Sequence, residues 1–305
     1  MALTNYPNGL SSFGIPQIGA GPTFTTGNVW FVDSTFTGAG GDGTSPDKPL
    51  ATLNLAVAKC RANKADLIIL MPGHTENVIA AAGTNINVAG VRVIGIGNGS
   101  NRPTFNMTTV VGASFEITAA NVYLENVLFT GGLDNLTYMV NVTAADVTLR
   151  NIETRDVTGE MAVGIRCVTS PRLMIDGWRH DGATNAGSAS ALVIIGGDRI
   201  TVQNFVIDGN FSAAAIEVRT IATTDLEIHD GWIRTRNAAD LCIRDLVTAS
   251  TGLIGPNLSF RLQDDAANIT EAITGATFVQ FLPINVVNAA GEVAMPINTV
   301  ASTDV

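Results

Sequence analysis

The sequence predicts an all-β chain folded as a single-stranded, right-handed parallel β-helix of about 26 residues per coil. Three observations carry that prediction. A short apolar pattern recurs at near-constant spacing, its turn residues are the types that tolerate positive φ, and the composition is that of a turn-rich β protein. Of 305 residues, 46% are hydrophobic, 14% are charged and 31 are glycine. Disordered chains are poor in β-branched residues and rich in charge, the opposite of this balance.

The recurring unit places apolar residues at i and i+2, a turn residue at i+4 and an apolar residue after it. It occurs as Val122, Leu124, Asn126, Val127 and as Val147, Leu149, Asn151, Ile152. It returns as Leu173, Ile175, Gly177, Trp178 and as Ile200, Val202, Asn204, Phe205. The next copy is Leu226, Ile228, Asp230, Gly231, Trp232, read with one extra residue, and a degenerate copy ends at Asn257 and Leu258. The turn column Asn126, Asn151, Gly177, Asn204, Asp230 with Gly231, and Asn257 therefore repeats every 25 to 27 residues. Fixed periods of this size mark solenoids, and Asn, Asp and Gly accept the left-handed backbone that a sharp corner needs. Stacked asparagines then form a hydrogen-bonded ladder, and the column after them (Val127, Ile152, Trp178, Phe205, Trp232, Leu258) lines the interior.

Alternation of period two marks half-buried strands. A further strand precedes each copy: Phe115/Ile117, Val140/Val142, Ile165/Cys167, Val193/Ile195 and Ile216/Val218. Earlier coils are read at 91–96 and 67–71. Ahead of them a helix near 52–63 has Leu53, Ala56, Val57 and Cys60 on one face, with Thr52 as N-cap. Such a helix closes the open end of a solenoid, where strand edges are unpaired. The predicted organisation is an extended arm over 1–27, the β-helix over 28–275, and an extension or small β cap over 276–305.

The formal charge is −10, with all three lysines (Lys48, Lys59, Lys64) before residue 65. Nucleic-acid binding needs a basic surface, so that partner is not expected. The start has no basic or apolar signal region, and no run of apolar residues is long enough to span a membrane. Cys60, Cys167 and Cys242 are far apart and are read as reduced.

The stretches Val29 to Asp33, Gly41 to Pro49 and Ala51 to Val57 resemble the entry of pectate-lyase-like β-helices, where a strand, a Gly/Asp/Pro loop and a capping helix lead into the first coil. The opening Asn5 to Gly9 with Ser11 to Pro16 resembles the starts of tailed-phage virion proteins. Together these resemblances imply a structural phage protein, with a head cement (decoration) protein as the nearest picture.

Fold alone does not decide activity. β-helical polygalacturonases carry paired aspartates and a Gly-His-Gly on neighbouring coils. Here Asp264-Asp265 is the one Asp-Asp pair, and Gly-His-Gly is absent. No aspartate cluster on adjacent coils is read as a Ca²⁺ site. No catalytic residue, metal or cofactor is therefore predicted. Glu116, Arg166, Glu217, Arg219, Arg244 and Asp245 lie on or near the strand preceding the repeat and are placed on its outer face. Three readings stand: a sugar groove with Arg166 or Arg219 as base, solvated strand faces, or pairing between subunits. His74 is placed in a loop, His180 inside and His229 outside. The Trp178/Trp232 pair is read as core rather than as sugar-stacking platforms. The Gly-rich turn around Asp42 lacks the Lys-Ser/Thr of a phosphate loop.

The expected function is a capsid cement protein, a homotrimer on the virion surface that binds the major capsid protein. Tyr6, Leu10, Phe13 and Ile15 of the arm supply the capsid contacts. The alternative is a tailspike-like polysaccharide depolymerase or glycan-binding spike. Its discriminating feature is a groove with paired carboxylates.

Overall fold

The computed structural model describes residues 11–12, 15–16, 25–36, 38, 41–156, 161–182, 188–236, 241–247, 249–263, 272–274, 277–280, 284–287, 289–291 and 293–294. Within them the chain winds as a parallel β-helix with three strand positions per coil. The first face is an eight-stranded parallel sheet that includes Thr84–Ile86, Phe115–Ile117, Val140–Val142, Ile216–Val218 and Ile243–Asp245. The second face includes Leu67–Leu70, Arg92–Gly95, Tyr123–Glu125, Thr148–Arg150 and Met174–Asp176. The third includes Thr104–Met107, Leu128–Gly131, Glu153–Asp156 and Arg179–Asp181. In the later coils, Thr201–Gly209 and Leu226–Thr235 run through the corner and serve both the second and third faces.

Strict register stacks like on like, so each inward position becomes a column. The second face contributes Val93, Leu124, Leu149, Ile175, Val202 and Ile228, and all are fully buried. Each such side chain contributes roughly 1.5–3 kcal/mol relative to exposure, which explains why the column stays apolar. On the third face, Phe105 and Phe129 stack with centroids 5.9 Å apart, and Phe115 meets each edge-on at 5.0 Å. Lower in that column the apolar series is broken by Thr154 and His180. Trp178 Nε1 donates to Thr154 Oγ1 at 3.0 Å, and Thr154 Oγ1 lies 2.9 Å from His180 Nδ1, so these buried polar groups bond one another.

The corner between the second and third faces is the turn column. Asn126, Asn151, Gly177, Asn204, Asp230 and Asn257 all have positive φ, between 46° and 73°. The ladder forms where side chains allow it. Asn151 Nδ2 donates to Asn126 Oδ1, Asn204 Nδ2 to Asp176 Oδ1 and Asn257 Nδ2 to Asp230 Oδ1. A second left-handed column stands five residues earlier, at Asn121, Asp146, Arg172, Arg199 and Asp225. Sequence reading passes over it because Arg172 and Arg199 interrupt its Asn/Asp series, and Arg does not announce such a corner.

Four expectations are corrected. The helix spans only Leu53–Val57, although Thr52 caps it as anticipated by accepting from the Leu55 N–H. Asp230 is followed by no extra residue: Phe205 pairs with Gly231 and Gly231 with Leu258. Gly231 thus occupies the interior column, where an added Cβ would lie 2.2 Å from the Phe205 ring. Trp232 consequently faces outward in register with Val206 and is only partly buried, whereas Trp178 is buried. On the first face the inward residues of Ser190–Ile195 are Leu192 and Ile194, not Val193 and Ile195. Leu192 pairs with Ile165 and Ile194 with Cys167.

Tyr6, Leu10 and Phe13 lie outside the described residues. Ile15 belongs to a two-residue strand, Ile15–Pro16, paired with Ser11–Ser12.

Candidate functional site

Register on the first face aligns Glu116, Asn141, Arg166, Val193, Glu217 and Arg244 in one outward column. Four of the six residues predicted as a lateral set therefore do stand together. They do not form an open acidic groove. Glu116 is 6% exposed and accepts from Ser114 Oγ at 2.8 Å and Asn141 Nδ2 at 2.6 Å. Glu217 is 1% exposed, accepts from Ser190 Oγ at 3.0 Å and pairs with Arg244 at 3.4 Å. Arg219, just past the strand, also reaches Glu217, at 3.7 Å. Arg166 lies over the Tyr138 ring at 5.1 Å. Asp245 is misplaced by the sequence reading: it shares the inward column of Ile117, Val142, Cys167, Ile194 and Val218. Burial pushes its carboxyl above the ordinary range.

A second charged strip was not anticipated. It runs down the third face, four residues after the turn column, as Thr130, Arg155, Asp181, Asp208 and Arg234. Asp181 and Asp208 occupy adjacent coils in direct register, a pairing the sequence reading did not pick out. The fixed offset from the corner was the available signal. Arg234 Nε donates to Asp208 Oδ1 at 2.8 Å, and Arg236 donates to Oδ2 at 2.8 Å. Burial alone would raise the Asp208 carboxyl; the Arg234 hydrogen bond and the charges of Arg236 and Arg234 outweigh it and hold the group below the usual range. Outward Trp232 stands in the neighbouring column, with the Arg234 guanidinium 5.6 Å from its ring centre. Higher on the same face, Glu153 is paired with Arg102 at 3.1 Å and Arg155 at 2.5 Å.

The second face carries two shallow clefts. One, of about 440 Å³, is lined by Arg92, Asn121, Tyr123, Asp146, Thr148 and Arg150. The other, of about 580 Å³, is lined by Arg199, Thr201, Asp225, Glu227, Gly252 and Leu253. Tyr123 donates to Glu125 Oε2 at 2.8 Å, and burial together with that bond pushes its hydroxyl up to about 12. It is therefore un-ionised at neutral pH and no ready base. Asp146 is held by both Nε and Nη2 of Arg172, at 2.5 and 2.6 Å.

The histidines do not converge. His74 lies in the loop before Thr75–Asn77, as expected, and is buried there. Its Nδ1 accepts from the Ser34 N–H, so Nε2 carries the proton that faces Glu76, 3.3 Å away. Glu76 in turn accepts from the Leu53 N–H at the helix start. His180 is interior, and burial pushes it down to about 3. His229 bonds Asp230 at 2.6 Å. Among the described residues no group of three or more His, Cys, Asp or Glu gathers to hold a metal. Asp264 and Asp265 lie outside them.

No family model matches the chain, and no curated protein matches it. Among solved structures it is similar to a rhamnogalacturonan lyase, with 10% identity, a TM-score of 0.52, and coverage of 91% of this chain and 89% of that one. An alginate lyase from Paenibacillus sp. str. FPU-7 shows 14% identity, a TM-score of 0.41, and coverage of 82% and 93%. At 10% identity the first likeness speaks for the fold alone. The chain is a parallel β-helix of the architecture seen in that lyase.

Proposed function

We propose that this protein is a structural component of a tailed-phage virion, a capsid cement protein that binds the major capsid lattice as a trimer. The supporting observation is where its outward carboxylates are engaged. Glu116 with Asn141, Asp146 with Arg172, Glu153 with Arg102, Asp208 with Arg234 and Glu217 with Arg244 all join different coils. Such charges lace the solenoid to itself and are poorly placed as free acids or bases. A stiff rod of this kind stabilises a shell by mass action when it binds only the assembled lattice. Three arms, each with Tyr6, Leu10, Phe13 and Ile15, add avidity.

The test is deletion of residues 1–27 followed by binding to purified capsids. Loss of binding by a still-folded solenoid supports the reading; undiminished binding refutes the arm contact. Copy number per virion separates a decoration protein, present in hundreds, from a spike, present in a few.

One observation favours a second reading, a glycan-binding or depolymerising spike. Asp181 and Asp208 are in register beside outward Trp232. Neighbouring strands lie about 4.8 Å apart, near the carboxyl spacing of retaining glycosidases. Polysaccharide cleavage that is abolished by Asp181→Asn and by Asp208→Asn establishes this reading. Cleavage unaffected by either excludes the pair as its site.

A further inference from the structure

The interior column of the first face is apolar through Ile86, Ile117, Val142, Cys167, Ile194 and Val218, and then ends in a carboxylic acid, Asp245. Asp245 is 2% exposed. Its Oδ1 accepts from the Val247 N–H at 2.7 Å, and the Ser250 side chain also bonds the carboxyl. Oδ2 has no partner, and neither does the nearby buried hydroxyl of Thr223, whose N–H donates to Ser250 Oγ. Among the described residues no cation faces the group. Arg244 on the same strand points outward to Glu217, and so does Arg219 from the turn above. From the strand above, Val218 supplies only methyl groups.

An ionised carboxylate here loses hydration and recovers two hydrogen bonds but no countercharge, which is costly in a low-dielectric interior. The neutral acid suits the same space far better. Beyond it, among the described residues, lie the C-terminal strands Thr251–Ile254, Leu258–Leu262, Ile273–Thr274, Thr277–Gln280, Ile284–Val287 and Val293–Ala294. We propose that Asp245 is a protonation latch on the C-terminal end of the solenoid, closed when its carboxyl is neutral and loosened when it ionises. Loosening uncovers strand edges, the part of a β-helix best able to pair with another chain.

The latch has a defined direction. Its folded-state affinity for a proton exceeds that of the unfolded chain, so stability at this end is highest in acid. It declines as pH rises from the ordinary aspartate value toward the raised one. Amide hydrogen exchange on the whole chain, corrected for intrinsic rates, reads this locally. Protection in 251–254 and 258–262 is expected to fall between pH 4.5 and 8. Protection in 115–117 and 140–142 does not fall over that range, because His180 adds stability as pH rises, and Asp245→Asn abolishes the fall in the C-terminal strands. A fall of equal size in Asp245→Asn overturns the proposal. Should that variant not fold, the ¹³C carboxyl titration of Asp245 in the unmodified protein decides. A midpoint above the ordinary aspartate range supports the latch, and one at or below it overturns it.

Discussion

Asn151 donates its side-chain amide to Oδ1 of Asn126, one coil away, at 3.1 Å, while both backbones are left-handed. The same residue type thus makes the corner and bonds it to the next. Asn126 begins the ladder, donating to the carbonyls of Gly95 and Gly97 at 2.8 and 2.9 Å.

Asn126→Ala is expected to destabilise the protein by roughly 2–4 kcal/mol, through left-handed strain plus the lost hydrogen bonds. Asn126→Gly keeps the corner and loses only the bonds, costing about 1–2 kcal/mol. Denaturant unfolding of the two variants separates backbone from ladder.

Gly231 and Trp232 exchange the roles that a plain reading of the sequence assigns them. Gly231→Ala drives a methyl into the Phe205 ring and is expected to cost about 1–3 kcal/mol. Trp232→Ala, on the outer face, is expected to cost less than Trp178→Ala, which empties a buried site by about 3–5 kcal/mol. Thermal melts of the three rank them.

His180 sets an acid limit on stability. Burial holds its folded value near 3, well below the ordinary 6.5, so the unfolded chain binds the extra proton between those values. Its contribution is complete above pH 6.5 and is lost progressively as pH falls toward 3, on the order of 4 kcal/mol in all. His180→Leu, beside Ile207 in the same column, should flatten that part of the pH profile in urea titrations between pH 4 and 7.

Asp208 is the junction of Arg234 and Arg236. Its folded value is depressed, so the stability it contributes is present above the ordinary aspartate value and lost as pH falls through the folded one. Asp208→Asn should remove that acid-side loss, measured by unfolding at pH 3 and 6. It should also lower stability at neutral pH, because two arginines lose their shared acceptor.

The sequence by itself determined the solenoid, its period and one of its corners. Asn, Gly and Asp at positive φ are chemically distinctive, and a coil of near-constant length repeats the signal through residues 126 to 257. It also placed His180 inside and Thr52 at the helix start. Only the tertiary structure decided which face each charged residue met. Gly231 shows why: period-two alternation reads identically one residue out of register, and only the pairing with Phe205 fixes the phase. That one-residue difference turned Trp232 outward. At the strand end it is likewise the pairing with Val218, not the local pattern, that sends Asp245 inward. The Asp181–Asp208 pair and the lacing of Glu217 by Arg244 arise between residues 27 apart in sequence and one coil apart in space. Stacking creates those contacts, so the chain order of the side chains could announce the shape while leaving the chemistry of its faces to the fold.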